Sequence, residues 1–429
     1  MIVISVIVPA INEADNIGTL VQRIKETAEA ITKKYEIIVV DGNSTDNTVI
    51  NAKKSGAKVL VQHDAGFGGA LRDGFAAAKG DYIITIDGDL SHEPEMIKTL
   101  WEQREHADIV IASRYVHGGS AVQSRMRKFL SRSLNIFFSL FLSIPAKDTS
   151  SNFRMYTRSV LEELDIECTK FDVLQEILVL ALSKGFTIKE VPMHYQPRQY
   201  GVSKAKIMSF VNAYSATFVK LWSIRNSIQS CDYDERAYYS IIPLQRYWQR
   251  KRYDIVMHFL KENNLHHKKI LDIGCGTSKI IQDMPLSVAM DIQFHKLRYL
   301  RKSNPQRLQA STFSLPFQDA SFDVVISSQV IEHIPYKQEI FTEISRVLHP
   351  GGVLILGTPD YGTITWNVAE RIYKLFPNTY GDEYITHYDL KQINQIFKDN
   401  SFEVLDVKYV CGAEMIIVAK KSKLSNSNR

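Results

Sequence analysis

The chain has 429 residues, of which 45% are hydrophobic and 23% are charged, and its formal net charge is +5. This length exceeds what one hydrophobic core usually supports, so two domains are predicted. The small positive net charge, without clustered base-reading motifs, argues against nucleic-acid binding. Four scattered cysteines without metal-site spacing favour a reducing, cytoplasmic location.

Three apolar segments in the first half predict buried strands, each followed or ended by acidic residues. They are residues 3–9, followed by Glu13; residues 36–41, ending in Asp41; and residues 81–87, followed by Asp89. The first lacks a basic leader and a small-residue cleavage site, so it is interpreted as a strand rather than a signal peptide. In an open α/β sheet, ligands bind beyond the carboxyl ends of the strands, where these acids would meet.

The pair Asp87 and Asp89 carries the clearest chemical signal. At a strand end, alternate residues such as these two lean to the same side. Hard divalent cations take oxygen ligands, and Mg²⁺ is often held by one or two carboxylates together with a substrate diphosphate. The pattern indicates a metal-assisted nucleoside-diphosphate site, whereas an isolated Asp-Gly-Asp is more often a turn.

A glycine-rich segment, Gly66-Phe-Gly68-Gly69-Ala-Leu-Arg72, opens a predicted helix between the second and third acids. Free backbone N–H groups at a helix start can meet an anion. Close packing of the helix on the sheet is the alternative.

Taken in order, these motifs resemble the family-2 glycosyltransferases, specifically the polyprenyl-phosphate (dolichyl-phosphate) mannose synthase branch. The resemblance covers residues 1–225 and rests on Pro9-Ala-Ile-Asn12-Glu13, Asp41-Gly, Ala70-Leu-Arg72, Asp87-Gly-Asp89-Leu-Ser-His92, Ala112-Ser-Arg114, Ser151-Asn-Phe-Arg154, Glu190-Val-Pro192 and Arg198-Gln-Tyr-Gly201-Val-Ser203-Lys204. It implies an α/β, GT-A-type fold that transfers a hexose, with inversion, from GDP-mannose or a UDP-hexose to polyprenyl phosphate.

The resemblance also implies roles for single residues. The nucleotide base and ribose would be lined by Pro9, Ile11, Glu13 and Asp41. Asp87 and Asp89 would serve the nucleotide and its Mg²⁺ or Mn²⁺, and phosphates would be bound by Arg114, Arg198 and Lys204. Ser91 departs from the family, which commonly has an amide metal ligand at that position.

The expected chemistry explains why cations are needed. A polyprenyl phosphate is already an anion, so the main task is to stabilise the departing nucleoside diphosphate, which a metal, guanidinium or ammonium group can do. Without the resemblance, the same Arg and Lys residues would be interpreted as exposed surface charge.

Two segments have the pattern of amphipathic helices. Residues 124–144 combine basic residues with apolar ones at helical spacing, namely Met126, Phe129, Leu130, Phe137, Phe138 and Phe141. The segment is too short and too interrupted to span a bilayer, so a helix lying in the interface is expected. Residues 207–222 align Phe210, Tyr214, Phe218 and Trp222, which fits membrane contact or a core-packed helix equally well.

The second half begins its own strand and glycine turn at Lys269-Ile-Leu-Asp272-Ile-Gly274-Cys275-Gly276-Thr-Ser278, and a helix is expected to follow. Asp291 ends another short strand at a distance that suits a nucleoside ribose in a Rossmann-like sheet. From this fragment alone, NAD remains open.

Further motifs downstream make residues 245–420 resemble class I S-adenosylmethionine-dependent methyltransferases. They are Leu315-Pro-Phe, Ser321-Phe-Asp323-Val-Val-Ile-Ser-Ser, Val330-Ile-Glu332-His333-Ile and Arg346-Val-Leu-His-Pro350-Gly351-Gly352. The match implies that Asp272, Gly274 and Gly276 approach the methionine end of S-adenosylmethionine and that Asp291 binds the ribose. Ser278 and Ser311 replace a frequent glycine and a frequent adenine-contacting acid.

Two histidines are candidates for the methyl acceptor site. His333 could orient or deprotonate an acceptor hydroxyl, or simply pack at the start of a helix. His387, near Tyr384 and Tyr388, is a weaker candidate.

The expected organisation is a transferase domain at 1–225, a linker at 226–244, a Rossmann-like methyltransferase domain at 245–420 and a polar tail at 421–429. Together they predict a bifunctional enzyme, peripheral on the cytoplasmic face of the membrane, that transfers a hexose, most simply mannose, and methylates a glycan or related acceptor. The alternatives are transfer to a surface glycan and a second half that is a noncatalytic binding module.

Overall fold

The computed structural model describes residues 2–197, 207–227, 230–240, 242–282, 284–303, 306–373 and 384–422. The chain divides into two compact units, Met1–Arg225 and Asn226–Arg429. Each contains a seven-stranded mixed sheet with helices, so the predicted pair of α/β folds is confirmed.

The first unit alternates strands and helices along its N-terminal half. Its strands are β1 (Ile4–Ala10), β2 (Tyr35–Asp41), β3 (Lys58–Val61), β4 (Tyr82–Thr85), β5 (Ile109–Ser113), β6 (Ser120–Ala121), β7 (Arg154–Thr157), β8 (Ile188–Pro192) and β9 (His194–Tyr195). Its helices are α1 (Ala14–Ile31), α2 (Thr48–Lys54), α3 (Phe67–Ala77), α4 (Met96–Glu102), α5 (Arg125–Phe141), α6 (Arg158–Glu163), α7 (Val173–Ser183) and α8 (Ile207–Asn226).

The strand order of the large sheet is β3-β2-β1-β4-β7-β5-β8, and β1 runs parallel to both β2 and β4. The chain order therefore reverses beside β1, which is where such sheets bind ligands. Residues 4–8 of β1 are buried on both faces, as their continuous apolar run predicts. Helix α3 approaches β1 closely because it has a glycine at the contact: a Cβ on Gly74 would lie 2.5 Å from Cγ2 of Ile7.

The second unit forms a sheet of order β12-β11-β10-β13-β14-β16-β15, parallel except for β16, which is antiparallel to both of its neighbours. The strands are β10 (Ile270–Ile273), β11 (Ser287–Asp291), β12 (Arg307–Gln309), β13 (Phe322–Ser328), β14 (Leu348–Pro359), β15 (Phe402–Val410) and β16 (Glu414–Lys421). The helices are α9 (Tyr233–Tyr238), α10 (Pro243–Glu262), α11 (Phe294–Tyr299), α12 (Gln338–Val347), α13 (Ile364–Tyr373) and α14 (Leu390–Asp399), with 3₁₀ turns at Leu300–Lys302 and Ile331–His333.

Two expectations for this unit were wrong. No helix follows the glycine turn within the described residues between β10 and β11; instead a short connection is anchored by the buried side chains of Ile280, Ile281 and Met284. The stretch 226–244 is also more than a linker, because it contains α9 and the first residues of α10 and belongs to the second unit. Its polar sequence concealed a helix whose residues line a cavity rather than a hydrophobic core.

Candidate active sites

The first site lies beyond the carboxyl ends of β1, β2 and β4. Ala10 of β1 is paired with Asp41 of β2, and a Cβ on Gly88 would lie 3.2 Å from the carbonyl oxygen of Pro9 and 3.6 Å from Cγ of Glu13. Ile11 is 44% exposed and lies over Gly42. The structure thus brings the predicted base- and ribose-lining residues to the end of β4, where Asp87 follows.

The loops after β1 and β2 are fastened to each other by hydrogen bonds. Asn12, in the left-handed region at φ 51°, donates from its backbone N–H to Oγ of Ser44 at 2.8 Å, and its Oδ1 accepts from the N–H of Thr45 at 2.8 Å. Asp41 is buried, and its Oδ2 accepts from the N–H of Ser44 at 3.0 Å. Its Oδ1 has no hydrogen-bond donor in the described part of the chain, so this acceptor remains available for a ligand.

The two carboxylates after β4 differ in environment. Asp87 is one-third exposed, and its Oδ1 accepts from Nδ2 of Asn152 at 2.9 Å. Asp89 is buried, and its Oδ1 accepts from the N–H and the hydroxyl of Ser91 at 3.0 and 2.5 Å. Ser91 therefore supports Asp89, although the family commonly has a metal-binding amide there.

His92 lies behind this pair, buried between the rings of Phe153 and Tyr195. Its Nδ1 is 3.7 Å from Oδ2 of Asp87. Burial lowers the pKa of His92 more than the neighbouring carboxylates of Asp87 and Asp89 raise it. His92 belongs to the Asp87–His92 sequence motif, but only the fold shows that its ring lies beside the Asp87 carboxylate.

The described side chains contain no group of three or more His, Cys, Asp or Glu residues that could hold a metal ion. Asp87 and Asp89 fit only a cation that takes its remaining ligands from a substrate, as Mg²⁺ commonly does with a diphosphate.

The prediction that Arg114 binds a substrate phosphate is not supported by its contacts. Its Nε and Nη2 donate to Asp148 at 2.8 and 2.7 Å, and Nη2 also donates to Oγ of Ser150 at 2.8 Å. Burial would lower the pKa of the guanidinium, but the charge and hydrogen bonds of Asp148 raise it above its ordinary value. The structure therefore assigns Arg114 to an internal ion pair, while Arg198 and Lys204 lie outside the described residues.

The glycine-rich segment at the start of α3 serves close packing. The N–H of Gly68 donates to the carbonyl oxygen of Thr169 at 2.8 Å, and a Cβ on Gly68 would lie 2.2 Å from the carbonyl oxygen of Cys168. Arg72 joins the same two segments by donating to the carbonyl of Glu167 at 2.7 Å and to Asp64 at 2.8 Å.

Helix α5 presents apolar and basic side chains to solvent. Met126, Phe129 and Leu140 are 69%, 68% and 64% exposed, and Arg125, Arg127, Lys128 and Arg132 are exposed beside them. Phe138 is buried, and the rings of Phe137 and Phe141 contact Phe218 of α8.

Helix α8 is described by side chain only in its C-terminal half, which excludes Phe210 and Tyr214. In that half, Phe218 and Trp222 pack against the core around buried Leu221, so core packing is favoured there. None of the described helices is long and apolar enough to cross a membrane.

The second site is a cavity of about 390 Å³ at the carboxyl ends of β10, β11 and β13. The predicted residues lie in its wall: Asp272, Gly274, Gly276, Asp291, Ser311 and His333. The strand order reverses beside β10, so the cavity occupies the position at which an α/β sheet binds nucleotides.

Carboxylates dominate the glycine-turn side of this cavity. Asp291 accepts from the N–H groups of Gly276 and Gln293 at 3.0 and 2.8 Å. Asp272 is buried, and its Oδ2 has no hydrogen-bond donor among the described residues. Burial, with the charges of Asp291 and Asp234, raises the pKa of Asp272 well above its ordinary value. A cationic ligand would relieve this cost.

Asp234 of α9 also lines this cavity, although it was not predicted from the sequence. Its Oδ2 lies 2.8 Å from the position of a Cβ on Gly276 and 3.5 Å from the backbone nitrogen of Thr277. Tyr233 and Tyr238 of the same helix also line the cavity. The acidic start of α9 was the available signal, but it precedes every motif of the second half.

Aromatic residues line the opposite side. Trp248, Trp366 and Tyr384 contribute to the wall, and the ring of His333 stacks on Tyr384 with centroids 5.0 Å apart. Arg252 forms a bidentate pair with the Glu414 carboxylate at 2.6 and 2.7 Å. The same carboxylate also accepts from Nε1 of Trp248 at 2.6 Å. His387 instead stacks on Tyr361, with centroids 4.0 Å apart.

Glu332 holds this aromatic side in place. Its carbonyl oxygen accepts from the N–H groups of Ile385 and Thr386 at 2.8 and 3.0 Å, and its Oε2 accepts from the hydroxyl of Thr358 at 3.2 Å. Burial raises the pKa of this carboxyl to about 8.

Comparison with known proteins finds a family match in each unit. The model of glycosyl transferase family 2 matches residues 5–165, and that of a methyltransferase domain matches residues 271–356. A dolichol-phosphate mannosyltransferase from Pyrococcus furiosus is 34% identical over 212 residues, which are 47% of this chain and 59% of that protein. A polyprenol monophosphomannose synthase from Mycolicibacterium smegmatis is 32% identical over 243 residues, which are 52% of this chain and 88% of that protein.

One similar solved structure is glucosyl-3-phosphoglycerate synthase from Mycobacterium tuberculosis in complex with Mg²⁺ and uridine-diphosphate. The match has a TM-score of 0.43 at 22% identity and covers 52% of this chain and 79% of the chain of that synthase. The two family models and the polyprenol monophosphomannose synthase show that the chain joins two units of different transferase families. Its N-terminal unit belongs to glycosyl transferase family 2, among the relatives of polyprenol-phosphate mannose synthases, and its C-terminal unit is a methyltransferase domain.

Proposed function

We propose that the first unit transfers a hexose, most simply mannose, from GDP-mannose or a UDP-hexose to polyprenyl phosphate with inversion. The observation that carries the proposal is the convergence of Pro9, Glu13, Asp41 and Asp87 at the reversal point of the sheet. Similarity to mannose synthases that act on polyprenol phosphates supports the acceptor class.

In this mechanism the base and ribose lie on Pro9 and Ile11, and the free Oδ1 of Asp41 accepts a hydrogen bond from the nucleoside. Asp87 and Asp89 would hold Mg²⁺ or Mn²⁺, which supplies positive charge to the diphosphate. Asn152 and Ser91 keep the two carboxylates oriented. The acceptor phosphate is already ionised, so no general base is required. Lys204 and Arg198 are proposed to stabilise the departing diphosphate.

Access to a lipid-linked acceptor is proposed to use α5. Its exposed aromatic and aliphatic side chains, surrounded by four basic residues, suit the interface of an anionic membrane on the cytoplasmic side. The protein would then be peripheral, with its first unit resting on the surface that contains the polyprenyl phosphate.

The second unit is proposed to methylate a hydroxyl of a glycan or a related acceptor. S-adenosylmethionine would supply the methyl group, and its cationic sulfonium and ammonium groups suit the acidic wall formed by Asp272, Asp291 and Asp234. His333, held by stacking on Tyr384, would accept the proton of the acceptor hydroxyl.

A screen of nucleotide sugars with polyprenyl phosphate tests the first activity, and a methyl-labelled cofactor tests the second. If the hexose is transferred only to a surface glycan and not to polyprenyl phosphate, the alternative acceptor replaces the first proposal. Cofactor binding without product would support a noncatalytic second unit that recruits partners or senses S-adenosylmethionine.

A further inference from the structure

The start of α10, in the methyltransferase unit, combines exposed apolar side chains with basic ones. Ile242, Leu244 and Tyr247 are 55%, 66% and 55% exposed. Arg246, Arg250 and Lys251 line one surface depression together with Tyr247, Pro243 and a single acid, Asp254.

The orientation of this face is fixed by the rest of the helix. Ile255, Val256 and Leu260 are buried in the core of the unit, and Arg252 is tied to Glu414. The basic and apolar face therefore cannot rotate inward. The cofactor cavity lies to one side of this face: its wall includes neither Arg246 nor Lys251, whereas Arg250 borders it by donating from Nε to the carbonyl oxygen of Tyr238 at 3.3 Å.

We propose that this face of α10, defined by Ile242, Leu244, Tyr247, Arg246, Arg250 and Lys251, is a second membrane-binding surface that docks on anionic lipid. A tyrosine and two aliphatic side chains suit the boundary between headgroups and acyl chains, and three cations beside one acid complement a negative surface. The surface gives the methyltransferase unit its own attachment, and it rests on the proposed function only in that the substrate of the enzyme is lipid-linked.

The test uses the full chain with the α5 contribution weakened by Phe129→Ser and Leu140→Ser. In this background we expect sedimentation with vesicles of phosphatidylglycerol and phosphatidylcholine, much less with phosphatidylcholine alone, and a decrease as salt rises. Adding Arg246→Gln and Lys251→Gln should weaken binding to the anionic vesicles about 25-fold, from a contribution of about 5-fold for each cation near the surface.

The matched control is Lys391→Gln with Lys398→Gln, which removes two exposed cations from α14 and should leave binding unchanged. S-adenosylmethionine binding, measured by calorimetry, checks that each variant remains folded. Three results would overturn the proposal: no binding in the α5 background, equal binding by the α10 and α14 variants, or self-association that depends on the α10 residues. Binding by the α5 background that is weaker than that of the wild type but still present concerns only the proposed attachment of the first unit.

Discussion

Arg114 and Asp148 form a bidentate ion pair inside the first unit, with side chains 10% and 0% exposed. The backbone N–H of Arg114 donates to the same carboxylate at 3.0 Å. The pair fixes the end of β5 to the segment before β7, where Asn152 reaches Asp87.

Arg114→Gln should therefore destabilise the first unit by about 3 to 5 kcal/mol, since it leaves the Asp148 carboxylate buried without its partner. Lys33→Gln, which removes an exposed pair with Glu29, should cost at most about 1 kcal/mol. Thermal unfolding of both variants measures the difference. An unchanged melting temperature together with a raised KM for the sugar donor would return Arg114 to a phosphate-binding role.

The ion pair also predicts a pH dependence. Burial would raise the pKa of Asp148, but the charge and hydrogen bonds of Arg114 lower it below its ordinary value. Its stabilising contribution is therefore complete above the ordinary carboxyl pKa and is lost as pH falls through the lowered value. Acid unfolding of the wild type should show this loss, and Asp148→Asn should flatten it.

Asp89→Asn should reduce sugar transfer by about 100-fold or more, the scale of losing one electrostatic contact to a developing charge. The amide oxygen can still accept from Ser91, so the fold should persist, but the neutral side chain is a poorer ligand for a hard cation. Asp15→Asn, at an exposed position of α1, is the control. Transfer at the wild-type rate with unchanged metal dependence would show that Asp89 is not a ligand.

Glu332 predicts a pH dependence of the opposite sign in the second unit. Its folded pKa of about 8 lies above that of an exposed glutamate, so its stabilising contribution is complete below the ordinary carboxyl pKa. It is lost as pH rises to about 8. Unfolding of the second unit between pH 5 and 8 should be less pH-dependent in Glu332→Gln than in the wild type. Equal slopes would mean that the buried carboxyl is already ionised.

Phe129→Ser together with Leu140→Ser should release the first unit from vesicles. Each substitution forfeits on the order of 2 kcal/mol of apolar burial in the interface. Activity on long-chain polyprenyl phosphate should fall more than activity on a short soluble acceptor. Ile50→Ser with Leu405→Ser, at exposed positions outside α5, controls for general loss of apolar surface. A vesicle affinity and a long-chain activity both equal to those of the wild type would indicate that these side chains do not contact lipid.

The sequence allowed both sheets and most strand-end residues to be predicted, because buried strands have apolar runs and their carboxyl ends meet at one edge. It could not predict that Arg114 pairs with Asp148, since the two are 34 residues apart and only the fold brings them together. The same limit applies to Asp234, whose polar surroundings resemble a linker until α9 is placed on the glycine turn. The sequence also does not show how closely Gly274 is packed. A Cβ at this position would lie 2.4 Å from Cγ2 of Val330, so Gly274→Val would disturb the turn itself before it affected cofactor binding.

If one chain carries two independent transferase sites, a crossed pair of variants should separate the two activities. Asp89→Asn and Asp272→Asn are each incubated with sugar donor, polyprenyl phosphate and methyl-labelled S-adenosylmethionine, and the products are analysed by mass spectrometry beside those of the wild type. The wild type should form a glycosylated lipid, or a glycan built from it, and a species one methyl group heavier. Asp272→Asn should stop at the unmethylated product, and Asp89→Asn should form neither product unless it is given the glycosylated acceptor, which it should then methylate. A wild-type enzyme that binds no S-adenosylmethionine, or an Asp272→Asn variant that methylates normally, would contradict the proposed methyltransferase site.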